Sequence, residues 1–452
     1  MNKSKILFFC IIIFSILIPW YNFNFDKDAK SMIDNTYLPK LESGKKLTSK
    51  GIDNYLSMRM GFRENAITNY LWLNDYIFGE MTHPTYCYGQ DGYVFFKVRR
   101  PQIDEKFISA FARYLSRVQA YCDERNIKFL YCINPSKTTV YNKYLPKGFK
   151  YENKFYDVFY KELDKYNVNY VSNKEYLTKL ALDKQIYNKK YDAGHWNDLG
   201  QFYGTNNMYK ALQKDFSMIS LNKIEDFNID QKLETSLPVS KFEISELVPR
   251  FQYKYDDVIN ITNNFKDIDL HKNFRAFQCY EKNNAEDLPR VLFFHGSYYN
   301  RNRDFYKGAF KETYAVHNYQ NFLNLDYYLN VFKPDCVLLE TAEYATGRSY
   351  FDYSKLANKK FNKPYVTQQH IKHTRVYKSN VNQSEEIRNF KIIGGDNSNL
   401  VTIKFNTNKK FSYGYLVAGY FEFDLSIADK VVSCTLDKNN FDENNFYLCL
   451  FE

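Results

Sequence analysis

The stretch Tyr191-Asp-Ala-Gly-His-Trp-Asn-Asp-Leu-Gly200 places a carboxylate, Asp192, three residues before an imidazole, His195, just ahead of a helical pattern. Later in the chain, Arg290-Val-Leu-Phe-Phe-His-Gly-Ser297 sets a serine on a tight turn beyond an apolar run. A serine nucleophile needs a base to take its proton and a carboxylate to orient that base and stabilise its charged form. Asp192 and His195 can supply both from one turn. Gly296 would let the backbone turn sharply, and the N–H groups that follow can face a developing oxyanion. Each piece also has a plainer reading. A serine after a strand often serves as a turn or helix cap, and a single histidine is often a buried, hydrogen-bonded one. His295, two residues from Ser297 on the strand edge, is a rival base, better placed to flank the site than to face the hydroxyl.

Other chemistries fit poorly. No H-E-x-x-H occurs, and His83, His271, His317, His370 and His373 show no ligand spacing with His195, so no metal is expected. Gly44-Lys45 resembles the end of a phosphate-binding loop, but Pro39 stands where that loop needs glycine. No cofactor is expected. The formal net charge of +10 is spread along the chain, without a basic-aromatic module for nucleic acid. It reads as a solvated basic surface, or one that meets anionic lipid or acidic glycan.

The elements that must position these groups alternate between helix and strand. Phe107, Phe111, Tyr114, Leu115, Val118 and Tyr121 mark a helix. The apolar run Ile127–Ile133 reads as a buried strand. Asn134-Pro-Ser-Lys137 then falls at that strand's carboxyl edge, where open α/β sheets place ligands. Gln90–Lys97 reads as a turn into a strand, and Asn197 or Asp198 can cap the helix after His195. We therefore expect an α/β catalytic region over residues 81–362, with residues 217–289 as an irregular insertion. Residues 26–80 read as helical, and residues 363–452 as a small β-rich module.

Lys3 and Lys5 precede the almost unbroken apolar run Ile6–Trp20. Basic flanks and an interfacial aromatic suit a membrane signal, and no small-x-small cleavage site follows. Residues 1–25 are expected to be an uncleaved, single-pass anchor that leaves the remainder outside the cytoplasm. Of the eight cysteines, most sit in apolar patterns and read as buried hydrophobes; Cys434 with Cys449 is the pair to test for a disulfide.

Several blocks, in order, resemble a known family: the N-terminal anchor, MGFRENAITNYLWLNDYIFG, QDGYVFF, INPSKTTVYNKYLP, DAGHWNDLG and LPRVLFFHGS. Together they are similar to the SGNH-hydrolase-like O-acetyltransferases related to the alginate acetylation proteins AlgJ and AlgX (DHHW type). In that family Asp and His precede the nucleophilic Ser, which maps to Asp192, His195 and Ser297. One residue usually separates its Asp and His, where Ala193 and Gly194 make two here, and Asp often stands where this chain has Gly296. The resemblance implies an SGNH-like sheet flanked by helices. It also implies transfer of an acetyl group through an acyl-serine to hydroxyls of an extracytoplasmic polysaccharide. The donor would be delivered by a membrane-bound O-acyltransferase. The Ser297 N–H, with Gly296 and Asn134 nearby, would hold the oxyanion, and Lys137 would attract an acidic glycan or be a plain surface lysine. The alternatives are a carbohydrate esterase or deacetylase with the same three residues, and a non-catalytic glycan-binding assembly protein using the aromatic-rich C-terminal module.

Overall fold

The computed structural model describes the chain apart from residues 1–2, 32–36, 42–47, 84, 98–102, 239–241, 366–373, 379–385, 396–397 and 452. Gly44, Lys45, His370 and His373 lie outside the described residues. Helix α1 (Lys3–Tyr21) has no buried residue, and among the described residues it alone is long and apolar enough to cross a membrane. Among the described residues of 26–80, the helices are α2 (Ser49–Arg59) and α3 (Arg63–Phe78).

Strands β1 (Tyr86–Tyr88) and β2 (Val94–Phe96) pair antiparallel, followed by α4 (Glu105–Asp123). Asp104 caps α4 by accepting from the Phe107 N–H at 2.9 Å, and Phe107, Phe111, Tyr114, Leu115, Val118 and Tyr121 are all buried on one face. The α/β alternation continues through β3 (Lys128–Asn134), α5 (Lys137–Val140), α6 (Lys154–Lys165), β4 (Tyr170–Ser172), α7 (Lys174–Leu180) and α8 (Asp198–Leu212). Asn197 is the cap of α8, its side chain accepting from the Gly200 N–H at 3.0 Å.

Within residues 217–289, polar in sequence with short strand-like pieces such as residues 251–255, the described residues carry more strand than that pattern suggests. They form the long antiparallel hairpin β5 (Phe227–Ser236) and β6 (Glu243–Tyr253), then β7 (Val258–Asn260) and β8 (Phe277–Lys282), which extend the main sheet. Their polar composition reflects a hairpin and a sheet edge that face solvent. The chain proceeds through β9 (Arg290–His295), α9 (Ser297–Asn300), β10 (Glu312–His317), α10 (Leu325–Phe332), β11 (Cys336–Ala342) and α11 (Tyr353–Asn358).

The main sheet has the order β4-β3-β11-β9-β10-β8-β7. Its first five strands run parallel, whereas β8 and β7 are antiparallel additions. Parallel strands covered on both faces need continuous apolar sequence, and β9 and β11 carry it. The sheet's parallel register brings the ends of β3, β9 and β11 to one edge: Asn134 pairs with Ala342, and His295 with His317. The α/β sheet with flanking helices, the apolar N-terminal helix and a β-rich C-terminus are thus all present.

That C-terminus holds β12 (Thr374–Lys378), β13 (Ile387–Gly394), β14 (Leu400–Thr407), β15 (Tyr413–Ala418), β16 (Phe421–Asp424), β17 (Ser426–Ala428), β18 (Val431–Asp437) and β19 (Phe446–Phe451). They make two four-stranded antiparallel sheets around their own core. Tyr415 and Phe423 are fully buried, so part of the aromatic richness of this segment is packing. Cys434 on β18 and Cys449 on β19 are both free thiols, so no disulfide joins this pair in the structure.

Asn330 on α10 joins this module to the α/β body. Its amide donates to the Asp424 carbonyl at 2.7 Å and accepts from the Asp424 N–H at 3.0 Å. Tyr121 of α4 and Arg125, just past its C-terminal end, bind the Asp424 carboxylate. Asn330→Leu would leave both Asp424 backbone groups buried without these partners and should cost roughly 2–4 kcal/mol. Chemical denaturation followed by circular dichroism checks this; a loss below about 1 kcal/mol would show that water replaces the amide.

Candidate active site

Asp192 adopts a left-handed backbone conformation, φ 57°, which Asp tolerates better than most residues. Its carboxylate folds back over the following turn, where Oδ1 accepts from the Gly194 N–H at 3.1 Å and the His195 N–H at 3.0 Å. The two intervening residues complete this turn, so the His195 ring returns to the same carboxylate. Nδ1–H donates to Oδ1 and Oδ2, each at 3.0 Å. The other ring nitrogen, Nε2, accepts from the Ser297 hydroxyl at 2.8 Å. The structure therefore brings Asp192, His195 and Ser297 together, within the reach a proton relay requires.

Gly194 allows the turn to fit. A Cβ there would lie 2.5 Å from the Phe96 ring, so β2 could not approach. Trp196, fully buried, donates its indole N–H to the Tyr298 carbonyl at 3.0 Å, tying the histidine segment to the residue after the serine. The Tyr298 hydroxyl returns the contact by donating to the Gly194 carbonyl at 2.9 Å. Asp198 does not cap α8; it accepts from the Phe251 N–H at 3.0 Å and from Asn302 at 2.9 Å.

Asp192 is buried to 3% exposure. Burial alone would raise its pKa, but the His195 ring, the Arg301 guanidinium and the His195 N–H hold the carboxyl well below the usual carboxylate range. Arg301 Nη1 stands 2.5 Å from Asp192 Oδ2. The carboxylate therefore stays ionised at any physiological pH. His295 is excluded as the base: its ring is buried among Phe293, Tyr299 and Tyr306, it donates to the Gly296 carbonyl at 3.1 Å, and burial pushes its pKa down to about 3.

The supporting residues differ from expectation. Gly296 has φ −99° and ψ −158°, an extended conformation open to any residue, so the turn does not need glycine for its backbone. Space is the constraint, since a Cβ would lie 3.1 Å from the Tyr319 hydroxyl and 3.3 Å from Asn318 Nδ2. The Gly296 N–H does not face an oxyanion either; it donates to Glu340 Oε2 at 2.8 Å. Asn134 is one strand further away than expected, because β11 lies between β3 and β9. Fully buried, it donates to Glu340 Oε1 at 2.8 Å and accepts from Asn173 at 2.7 Å. Lys137 is neither a surface lysine nor a glycan contact. It is wholly buried, donates to the Val94 carbonyl at 2.7 Å and the Lys189 carbonyl at 3.0 Å, and has its pKa lowered by burial to about 7. Asn134 and Lys137 brace the site from beneath.

Three groups in the site are additional to the sequence expectation. Tyr344, on the turn after β11, places its hydroxyl 3.2 Å from Ser297 Oγ and 3.3 Å from His195 Nε2. Glu343 fixes that turn by accepting from the Ser136 N–H and hydroxyl, both at 2.9 Å. The strand edge that drew attention to Asn134 pointed equally to Tyr344. Arg301 stands four residues past Ser297, one helical turn on, a spacing that offered a signal. Glu340, a carboxylate inside the apolar run of β11, was another. Among the described residues no three His, Cys, Asp or Glu side chains gather as a metal site.

No family model and no curated protein matches the chain. Among solved structures it is similar to Bacillus cereus PatB1 carrying a sulfonyl adduct, at 15% identity and a TM-score of 0.46 over 59% of this chain and 98% of that one. The O-acetyltransferase domain of Pseudomonas putida AlgJ matches at 14% identity and a TM-score of 0.42, over 61% and 100%. Pseudomonas aeruginosa AlgX matches at 13% and 0.39, over 81% and 86%. At such identities the residue roles rest on this chain's own geometry.

Burial raises the Glu340 carboxyl from 4.5 to about 7, even though both its oxygens accept N–H donors. Folding therefore takes up a proton between those values, so the Glu340 contribution to stability is complete below pH 4.5 and lost as pH rises through about 7. Glu340→Gln removes that slope. Across this window the wild-type melting temperature should fall relative to the variant's; parallel curves would mean that Glu340 is ionised throughout.

Proposed function

We propose that the protein is an O-acetyltransferase that acetylates hydroxyls of a polysaccharide outside the cytoplasm through an acyl-serine. The observation that carries this reading is the continuous line Ser297 Oγ, His195 Nε2, His195 Nδ1, Asp192, with contacts of 2.8 and 3.0 Å. The resemblance of the sequence blocks to the AlgJ/AlgX type supplies the acyl chemistry, and α1 with its basic flank supplies the location.

In the first half-reaction His195 Nε2 takes the Ser297 proton as Oγ attacks the acetyl carbonyl of a donor. The carbonyl–leaving-group bond breaks, and the leaving group takes the proton from the imidazolium. Asp192 stabilises the imidazolium and holds its tautomer throughout. In the second half a sugar hydroxyl gives its proton to Nε2 as its oxygen attacks the acetyl carbonyl; the bond from that carbon to Ser297 Oγ breaks, and Oγ takes the proton back from Nε2, which restores the serine hydroxyl and the neutral imidazole. The Tyr344 hydroxyl, beside both reacting atoms, is placed to donate to the oxygen that gains charge. The Ser297 N–H, at the first position of α9, is the second candidate donor. A membrane-bound O-acyltransferase is the fitting source of donor, since α1 would keep this chain at the membrane where such a partner works.

A chromogenic acetyl ester, offered to the full-length protein with and without a glycan acceptor, tests the reading. Ser297→Ala should lower turnover by about 10^4-fold or more, and Asp192→Asn by roughly 10^3- to 10^4-fold. Mass spectrometry should find an acetyl group on Ser297, and acetylated glycan should accumulate. Turnover that survives Ser297→Ala would exclude the serine as nucleophile. Acetate release that no acceptor diverts would make the protein an esterase instead.

A further inference from the structure

Helix α3 has an exposed face that no partner covers among the described residues. Tyr70, Trp72, Leu73, Tyr76 and Ile77 are 45–77% exposed. At about 100° per residue they fall within roughly 160° of arc. Leu71, on the opposite side, is buried against the body. The charged residues of α3, namely Arg63, Glu64 and Asp75, are all half-buried, so the outward face carries no charge; it is aromatic and aliphatic over residues 70–77, with the exposed amides Asn65 and Asn69 on its N-terminal part. Trp72 and Tyr76 stack at 5.2 Å between ring centroids. Contiguous apolar surface of this kind marks an interaction site.

The start of α3 is fixed to the end of α1. The Gly61 N–H donates to the Pro19 carbonyl at 2.7 Å, and the Asn24 N–H to the Arg59 carbonyl at 2.9 Å. The buried Arg59 guanidinium donates to the carbonyls of Asn24 and Asp26 at 2.8 and 2.7 Å. A Cβ on Gly61 would come within 2.8 Å of the Asn22 backbone, so the two segments touch directly. At about 1.5 Å per residue, α1 is about 28 Å long, close to the hydrocarbon thickness of a bilayer. Its last turn, with the exposed Trp20, would then emerge at the lipid interface.

Taking α1 as a membrane anchor, we infer that α3 lies along the bilayer surface with Tyr70, Trp72, Leu73, Tyr76 and Ile77 in the lipid interface. Tyr and Trp favour that layer, which accepts apolar rings and hydrates their polar edges. The absence of charge on the face makes neutral lipid sufficient. Two points of attachment, a span and a surface helix, would hold the catalytic body at a fixed height and orientation, where a span alone would leave it free to swing.

The three tryptophans make this testable in the intact protein, because Trp196 is buried in the core and only Trp20 and Trp72 can meet lipid. Full-length protein would be reconstituted into phosphatidylcholine vesicles containing lipid brominated near the headgroup end of its acyl chains. In Trp20→Phe, bromolipid should quench a blue-shifted emission that iodide does not reach, and the double variant Trp20→Phe/Trp72→Phe should lose that component. Quenching of Trp72 by iodide and not by lipid would place the face in water and overturn the inference. Protection from both quenchers would assign it to a second copy or another protein, and overturn it equally. Trp72→Phe, which retains Trp20, reports on the anchor alone: failure of bromolipid to quench it would remove α1 from the bilayer, and the inference with it, while leaving the acyl-transfer assay untouched.

Discussion

A carboxylate that folds back onto its own turn is the constraint on which the site depends. Asp192 accepts two backbone N–H groups and an imidazole N–H from within three residues, and Arg301 closes the remaining side. Such a group is satisfied before any substrate arrives, so the orientation of His195 involves no reorganisation during reaction. Its cost is a non-glycine residue at positive φ and a buried negative charge, both tolerated because hydrogen bonds and one guanidinium surround it.

The serine side is held by a second buried carboxylate, with the opposite electrostatic character. Glu340 accepts from Gly296 and Asn134 rather than from a guanidinium or ammonium, and burial raises its proton affinity. One acid is kept ionised by charge and the other is pushed toward neutrality by burial, within the same sheet edge. Between them the Trp196 indole and the Tyr298 hydroxyl lock the two chain segments together. The histidine and the serine thus share a rigid frame made of hydrogen bonds to backbone, which leaves few ways for either to drift.

The legible part of the site was its local chemistry. Asp192, His195 and Ser297 were recognisable because their residue types and short spacings carry a mechanism, and the buried strands because parallel strands need apolar runs. The order of those strands was not legible. Nothing in residues 128–134 or 336–342 states that β11 lies between β3 and β9, and this one fact moves Asn134 away from the serine and brings Tyr344 to it. Lys137 misled for a related reason: a lysine after a strand is normally solvated, and only the tertiary packing of β2 and the Lys189 loop buries it. Strands β7 and β8 were read as irregular because an edge needs less apolar sequence than a centre.

The position of β11 has a consequence for how the protein assembles. It is the last strand of the main sheet to be made, yet it sits in the middle and joins the half that holds β3 to the half that holds β9. A growing or truncated chain that stops short of Cys336 already contains the acid, the base and the alcohol, but lacks the keystone that sets the two halves side by side. The two halves can therefore come side by side only once residues 336–342 have been made, well after the serine itself.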